Sequence, residues 1–126
     1  MKSNSFSRIF KIKKSQEIKK LLKYGRKFKT ENRNIIFFIQ KSELRNSRFC
    51  ILLTRKVRKS VYRNKVKRKF REIFRIKKNE FNYNSDIAVM IKDKINPDYR
   101  VFNNIFVKFM FDAGLSRKEK EKHVGS

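Results

Sequence analysis

The chain has 126 residues, of which 36 are Lys or Arg and 11 are Asp or Glu, so its formal net charge is +25. A folded domain with this excess attracts polyanions, which leaves nucleic acid or an anionic membrane as the neutralising partner. The longest apolar runs are five residues, at 35–39, 49–53 and 87–91. These runs are far shorter than the roughly 20 residues of a membrane span. The basic N-terminus lacks the apolar stretch of a secretory signal, so a cytoplasmic protein is expected.

The chain begins with a basic and aromatic segment that has no helical period. Residues 1–14 are therefore predicted to form an extended arm. A short helix is expected from Ser15, whose hydroxyl is a candidate N-cap, to about Tyr24. Gly25 is predicted to end this helix in a left-handed conformation.

Two strands, a long helix and a third strand are expected next. Residues 33–40 and 48–54 are rich in β-branched and aromatic types. The polar linker 41–47 between them indicates a hairpin with a loose turn. Residues 60–77 predict a helix and residues 86–92 a buried strand. The order strand, helix, strand implies a parallel pair joined by a crossover helix.

The last helix is expected to begin around Pro97 and to end at Gly114. Its apolar residues recur at helical spacing and define one buried face: Phe102, Ile105, Phe106, Phe109 and Met110. Residues 116–126 are charged and aperiodic, so a disordered tail is expected after a single domain of residues 1–115. With helices at both ends of the chain, the expected fold is an α/β sandwich, one sheet with helices packed against it.

The segment 55–78 carries thirteen Lys or Arg residues and one acid, Glu72. At about 100° per residue, one side of its helix collects an apolar stripe of Val66, Phe70, Ile73 and Phe74. The opposite side collects Asn64, Arg68, Arg71 and Arg75, flanked by Lys65 and Lys67. A solvated face usually mixes Glu with Lys, whereas here like charges lie at i,i+4, which is unfavourable without an anionic partner. The basic side is therefore predicted to bind phosphates.

The residues alone do not decide between DNA and RNA. Helix-turn-helix, zinc-finger and bZIP patterns are absent, as are the signatures of RRM and KH domains. His123 stands alone in the tail, and Cys50 is expected to be a small core residue in a strand. The carboxylates are scattered, so no catalytic residue and no metal site are expected in the protein.

The basic helix contains a stretch that resembles a motif of a known protein family. The stretch 63–68, Arg-Asn-Lys-Val-Lys-Arg, followed by Arg71-Glu72, resembles the RNR signature of the bacterial ribonuclease P protein family. Lys65 stands where the signature has Arg, and Arg58 where the family usually has Gly. Weaker landmarks agree in order over about residues 8–115: Tyr24-Gly25, the aromatic strand 35–39, the Asp-led strand 86–91 and Tyr99.

The resemblance implies a more specific fold. It is an α+β two-layer sandwich with one small mixed sheet and about three helices, like the second domain of ribosomal protein S5. The crossover around the basic helix is expected to be left-handed, against the usual preference.

The resemblance also implies a role as the non-catalytic protein subunit of ribonuclease P, which removes the 5′ leader from precursor tRNA endonucleolytically. The expected partners are ribonuclease P RNA, which performs the catalysis with Mg²⁺ that it chiefly binds, and precursor tRNA. No membrane is expected as a partner, and no protein partner is expected to be required. The expected RNA-binding residues are Arg55, Lys56, Arg63, Asn64, Lys65, Lys67, Arg68, Arg71 and Arg75. The expected leader cleft is bordered by Ile18, Lys19, Leu22 and Phe38.

The alternative is a general or ribosomal RNA-binding protein without a processing role, which would share every electrostatic feature. A protein-only nuclease is disfavoured because the sequence has no acidic cluster. A DNA-binding protein ranks below both.

Overall fold

The computed structural model describes residues 10–57 and 60–116. Its elements are α1 (Ser15–Tyr24), β1 (Arg26–Lys29), β2 (Ile35–Lys41), β3 (Arg48–Leu53), α2 (Ser60–Lys77), β4 (Ser85–Ile91) and α3 (Tyr99–Asp112), with a short 3₁₀ turn at Lys78–Glu80. The predicted helices and strands are therefore present. Most of the predicted arm, residues 1–9, and the predicted tail from residue 117 lie outside the described residues. No helix in the described part of the chain is long and apolar enough to cross a bilayer.

The four strands form one mixed sheet in the order β1-β2-β4-β3. β4 pairs antiparallel with β2, where Phe37 faces Val89, and parallel with β3, where Cys50 faces Ala88. The predicted parallel pair is confirmed, but the predicted hairpin of β2 with β3 is wrong. β4 is apolar and buried along nearly its whole length. A strand of this kind belongs in the middle of a sheet, so β4 inserts between the two strands that are adjacent in sequence.

β1 was not predicted from the sequence. It pairs antiparallel with β2, and the two form the hairpin that closes one edge of the sheet. The Thr30 hydroxyl stabilises the turn, since it lies 2.8 and 2.9 Å from the carbonyl oxygens of Asn32 and Ile35 and can donate its one hydrogen to either. β1 reads Arg-Lys-Phe-Lys, and Phe28 alone packs against the core. An edge strand with one apolar residue has too little alternation to predict a strand.

α2 and α3 pack on one face of the sheet, where the main core lies. The predicted apolar stripe of α2 is confirmed, because Val66, Phe70, Ile73 and Phe74 are each 0% exposed. Phe70 stacks on Phe102 of α3, with the ring centroids 4.3 Å apart. The predicted buried face of α3 is confirmed as well. The α+β sandwich of one mixed sheet and three helices is thus observed, and the left-handedness of its crossover stays a prediction.

α1 covers part of the opposite face of the sheet. Ile36 and Phe38 of β2 and Ala88 of β4 form a smaller cluster there, into which α1 inserts Leu21, which is 1% exposed. The end of the N-terminal arm also reaches this layer. The N–H of Ile12 donates to the carbonyl of Phe49 at 3.2 Å, so the arm runs along the edge strand β3.

Gly25 does not have the predicted left-handed conformation, since its φ is −69°. The chain continues directly from α1 into β1, and Gly25 is required for space. A Cβ there would lie 2.5 Å from the carbonyl oxygen of Leu21 and 3.1 Å from that of Ile39. The predicted N-cap is also wrong: Ser15 is the first helical residue, and Lys14 precedes it without a side-chain cap.

α3 ends where its sequence predicts, at Gly114, but it begins at Tyr99 and not around Pro97. The Asp98 carboxylate accepts from the N–H of Val101 at 3.2 Å and caps the first turn. Gly114 has a φ of +74°, and the N–H of Leu115 donates back to the carbonyl of Met110 at 2.8 Å. These features make a Schellman motif, in which glycine supplies the left-handed residue.

Candidate nucleic-acid interface

The basic side of α2 is divided into an exposed part and a half-buried part. Asn64, Lys65, Arg68 and Arg75 are exposed, whereas Arg63, Lys67 and Arg71 are half-buried. Helical spacing predicts that Arg71 points directly away from the core. It lies instead against β3, because α2 packs beside this edge strand and turns one flank of its basic side toward it.

That flank lines a groove with a volume of about 210 Å³ between α1, β3 and α2. Lys67 and Arg71 form one wall of the groove, and Ile18 of α1 contributes to the other. The remaining lining comes from the arm and from β3: Lys11, Ile12, Lys13, Phe49, Cys50, Ile51 and Leu52. The predicted phosphate-binding helix and Ile18 of the predicted cleft therefore line the same groove.

The cations around this groove repel one another. Burial lowers the pKa of Lys67, and the neighbouring charges of Arg63, Arg71 and Lys11 lower it further. Burial also lowers the pKa of Arg71. The buried Nε of Arg63 has no hydrogen-bond partner within the described residues. An anion bound in the groove would oppose the repulsion that acts on Lys67.

Two other predicted RNA-binding residues have acidic neighbours. Arg75 donates to both carboxylate oxygens of Glu72, with Nε–Oε1 at 3.2 Å and Nη2–Oε2 at 2.6 Å. This hydrogen bonding raises the pKa of Arg75 and lowers that of Glu72. Lys56 lies 4.0 Å from Asp93, and both it and Arg55 are exposed in the turn after β3. Arg75 must therefore share or release Glu72 in order to hold a phosphate.

The predicted cleft residues lie on the α1 face but differ in exposure. Ile18 and Leu22 are partly buried and Lys19 is exposed, so these side chains are accessible from solvent. Phe38 is only 7% exposed beneath the α1 cluster, which leaves little of its ring open for a base to stack on. Ile18 is the predicted cleft residue that lines the groove.

Several residues that line the groove were not predicted from the sequence. Lys11 and Lys13 belong to the basic arm, and their alternation with apolar residues was the available signal. Cys50 was expected in the core, yet it is only partly buried and lies on the groove floor. Burial there raises the pKa of its thiol to about 12, so the thiol is not a reactive nucleophile at neutral pH.

The described residues contain no group of three or more His, Cys, Asp or Glu side chains that could hold a metal ion. The donor set around the groove is cationic and apolar, which does not suit a divalent cation.

A mixed sheet flanked by helices, with cations crowded along an apolar groove, is typical of a nucleic-acid-binding domain of the α+β class. Residues 6–112 match the model of the family described as Ribonuclease P, so the chain belongs to that family. The chain is similar to the ribonuclease P protein component of Fusobacterium nucleatum, with 39% identity over 83 residues that cover 66% of this chain and 73% of the relative.

Other relatives cover more of the chain. The ribonuclease P protein component of a Thermoanaerobacter species is 30% identical over 109 residues, which are 86% of this chain and 92% of that protein. Among solved structures, the Staphylococcus aureus RNase P protein superposes with a TM-score of 0.72 at 23% identity, covering 86% of this chain and 98% of the other. At this identity, the superposition supports the fold.

Proposed function

We propose that this chain is the protein subunit of ribonuclease P and that it assists removal of the 5′ leader from precursor tRNA. Its partners in this proposal are ribonuclease P RNA and precursor tRNA, in the cytoplasm and without a required protein partner. The observation that carries the proposal is the groove in which Lys67 and Arg71 of the signature helix face Ile18 of α1. One surface thereby offers phosphate-binding cations next to apolar contacts for unpaired bases.

The exposed cations of α2 have the chemistry to bind the RNA subunit. Arg68 and Lys65 project into solvent, and a guanidinium group holds phosphate oxygens in bidentate fashion. Arg55 and Lys56 extend this surface past the end of β3. Many phosphate contacts of this kind make affinity steeply dependent on salt, by roughly 10³-fold or more between 50 and 200 mM if six or more phosphates are bound.

The groove has the chemistry to hold the single-stranded leader. Its wall of Lys67 and Arg71 would bind the backbone, and Ile18 and Leu52 would contact the bases. In this proposal the protein binds and orients RNA, and the RNA subunit performs the bond cleavage. Mg²⁺ held by the RNA subunit would supply the hydrolytic chemistry, and cleavage would leave a 5′ phosphate on the mature tRNA.

Reconstitution tests this function. The purified protein is mixed with transcribed ribonuclease P RNA and a leader-bearing precursor tRNA at low magnesium. Release of the intact leader is expected only when both subunits are present. Cleavage by the protein alone would contradict the proposed division of labour. If the protein does not stimulate cleavage and binds unrelated RNAs equally well, its function would be general RNA binding.

Lys65 and Arg68 provide the mutational test. The double substitution Lys65→Ala and Arg68→Ala should weaken binding to the RNA subunit, because it removes two exposed candidate phosphate-binding groups. The salt slope should fall by about 2, one unit for each phosphate that is no longer neutralised. The far-UV circular dichroism should stay unchanged, since the buried stripe of α2 is intact. A variant that loses its helical signal would contradict the assigned orientation of α2.

A further inference from the structure

Arg48 joins three elements through one guanidinium group. It opens β3 and lies opposite Asp86 of β4 in the parallel register. Its Nε and Nη2 donate to the two carboxylate oxygens of Asp86, at 3.1 and 2.9 Å. Its Nη1 and Nη2 also donate to Glu17 of α1, at 3.2 and 3.5 Å. Because a guanidinium group donates along fixed directions, these charge-assisted hydrogen bonds fix the orientation of the partner carboxylates as well as their distance from Arg48.

This network is shielded from solvent more than an ordinary surface ion pair. The side chain of Arg48 is 14% exposed, that of Asp86 17% and that of Glu17 40%. The hydrogen bond to Asp86 raises the pKa of Arg48, and Glu17 adds to this effect against the cost of burial. Screening by salt is therefore weaker here than for the exposed pairs of α2.

The network is well placed to set the position of α1. The cluster under α1 is apolar, and apolar burial is non-directional, so it leaves the axial position of a helix weakly specified. Gly25 packs closely at the C-terminal end of α1, where a Cβ would meet Leu21 and Ile39. Glu17, in the first turn, fastens the other end to Arg48.

Glu17 is followed directly by Ile18, which lines the groove opposite the cations of α2. We propose that Arg48 is a positioning residue for this groove, in which the leader is proposed to bind. By linking Glu17 of α1 to Asp86 of β4, Arg48 fixes the distance of Ile18 from Lys67 and Arg71. Arg48 itself does not line that groove. It lines a separate cavity of about 200 Å³ with Glu17, Glu43 and Asp86. The inference rests on the proposed function, because it concerns how the groove binds the leader.

The substitution Glu17→Gln tests the inference with little risk to folding, because the pairing of Arg48 with Asp86 inside the sheet remains. Glu43→Gln is the matched control, since it makes the same change of charge at the rim of the same cavity. Arg48→Met is the second variant and removes both links at once.

The measured quantity is the preference of the reconstituted holoenzyme for precursor tRNA with a leader over mature tRNA without one. A groove that is no longer preorganised should reduce this preference about threefold to fivefold in Glu17→Gln and in Arg48→Met. Glu43→Gln should keep the wild-type preference. Glu17→Asp, which retains a carboxylate, should recover part of the loss. Affinity for the RNA subunit should be unchanged in all four variants.

Failure of this inference can be distinguished from failure of the proposed function. If Glu17→Gln lowers the melting temperature but keeps the wild-type preference for the leader, the network is only structural and the inference fails. If Glu43→Gln loses as much preference as Glu17→Gln, net charge explains the effect and the inference fails again. If the wild-type holoenzyme shows no preference for the leader, the proposed leader-binding function itself fails.

Discussion

Lys67 is the residue at which stability and RNA binding should oppose each other most clearly. It is half-buried in the wall of the groove, with Arg63 one turn before it and Arg71 one turn after it. The substitution Lys67→Met keeps a long, unbranched side chain of similar helix propensity and removes the charge. We expect the variant to be more stable than the wild type and to bind RNA less tightly.

The size of the stabilisation follows from the two neighbours. Each like-charge pair at i,i+4 costs roughly 0.2–0.5 kcal/mol, so removing both pairs should add roughly 0.4–1 kcal/mol to the free energy of unfolding. This gain corresponds to a melting temperature higher by roughly 1–6 °C for a domain of this size. Removal of one phosphate-binding charge should reduce the salt slope of RNA binding by about 1.

The stabilisation should also depend on pH. The pKa of Lys67 is lowered in the folded protein from its ordinary value of 10.5, mainly by burial. Between the folded and unfolded pKa values, the unfolded chain binds more protons than the folded one, so stability rises with pH as Lys67 loses its charge. The advantage of the methionine variant should therefore shrink as the pH is raised toward about 10.

Thermal unfolding followed by circular dichroism at low salt, across this pH range, measures the effect. Lys20→Met is the control, because it removes a charge from an exposed position on α1 whose i±4 neighbours are Gln16 and Tyr24. A Lys67→Met variant that is less stable than the wild type, or no more stable than the Lys20→Met control, would refute the claim that like charges are crowded at this wall.

Three further predictions concern packing and the groove floor. Phe70→Ala removes a fully buried ring stacked on Phe102 and should lower the free energy of unfolding by about 3–5 kcal/mol, measured by urea denaturation; a decrease below about 1 kcal/mol would contradict the packing described for α2. Gly25→Ala should destabilise the protein by more than about 1 kcal/mol in the same assay, because the added Cβ meets the Leu21 carbonyl; a neutral effect would mean that α1 readily shifts. Cys50 should react with a maleimide far more slowly in the folded protein than in urea at pH 8, because its pKa is raised to about 12; equal rates would show that the groove floor is open.

The crowding of cations in the groove links stability to function. A free protein in which Arg63 and Arg71 repel Lys67 is less stable than the same fold with an anion bound beside Lys67. Binding of RNA to the folded state should therefore raise its apparent stability by mass action. The same charges that lower the stability of the isolated chain thus provide part of its affinity for RNA.

Periodicity alone determined much of the architecture. The stripes that bury α2 and α3 could be predicted because a helix must place residues three and four apart on one face, and both stripes are buried as expected. The end of α3 at Gly114 could also be predicted, because the signal for a glycine helix end is local in sequence. The basic side of α2 was visible because thirteen cations stand in one segment with a single acid.

Tertiary structure decided what depends on neighbours distant in sequence. β4 inserted between β2 and β3 because its buried run needs a partner on each side, and no local pattern in the 41–47 linker encodes that choice. β1 adopts its extended conformation as an edge strand because it forms backbone hydrogen bonds with β2. Packing of α2 beside β3 turned Arg71 and Lys67 into the groove and left Arg68 exposed. Helical spacing specifies which residues share a face, but the orientation of that face relative to the arm and α1 emerges only when the layers pack.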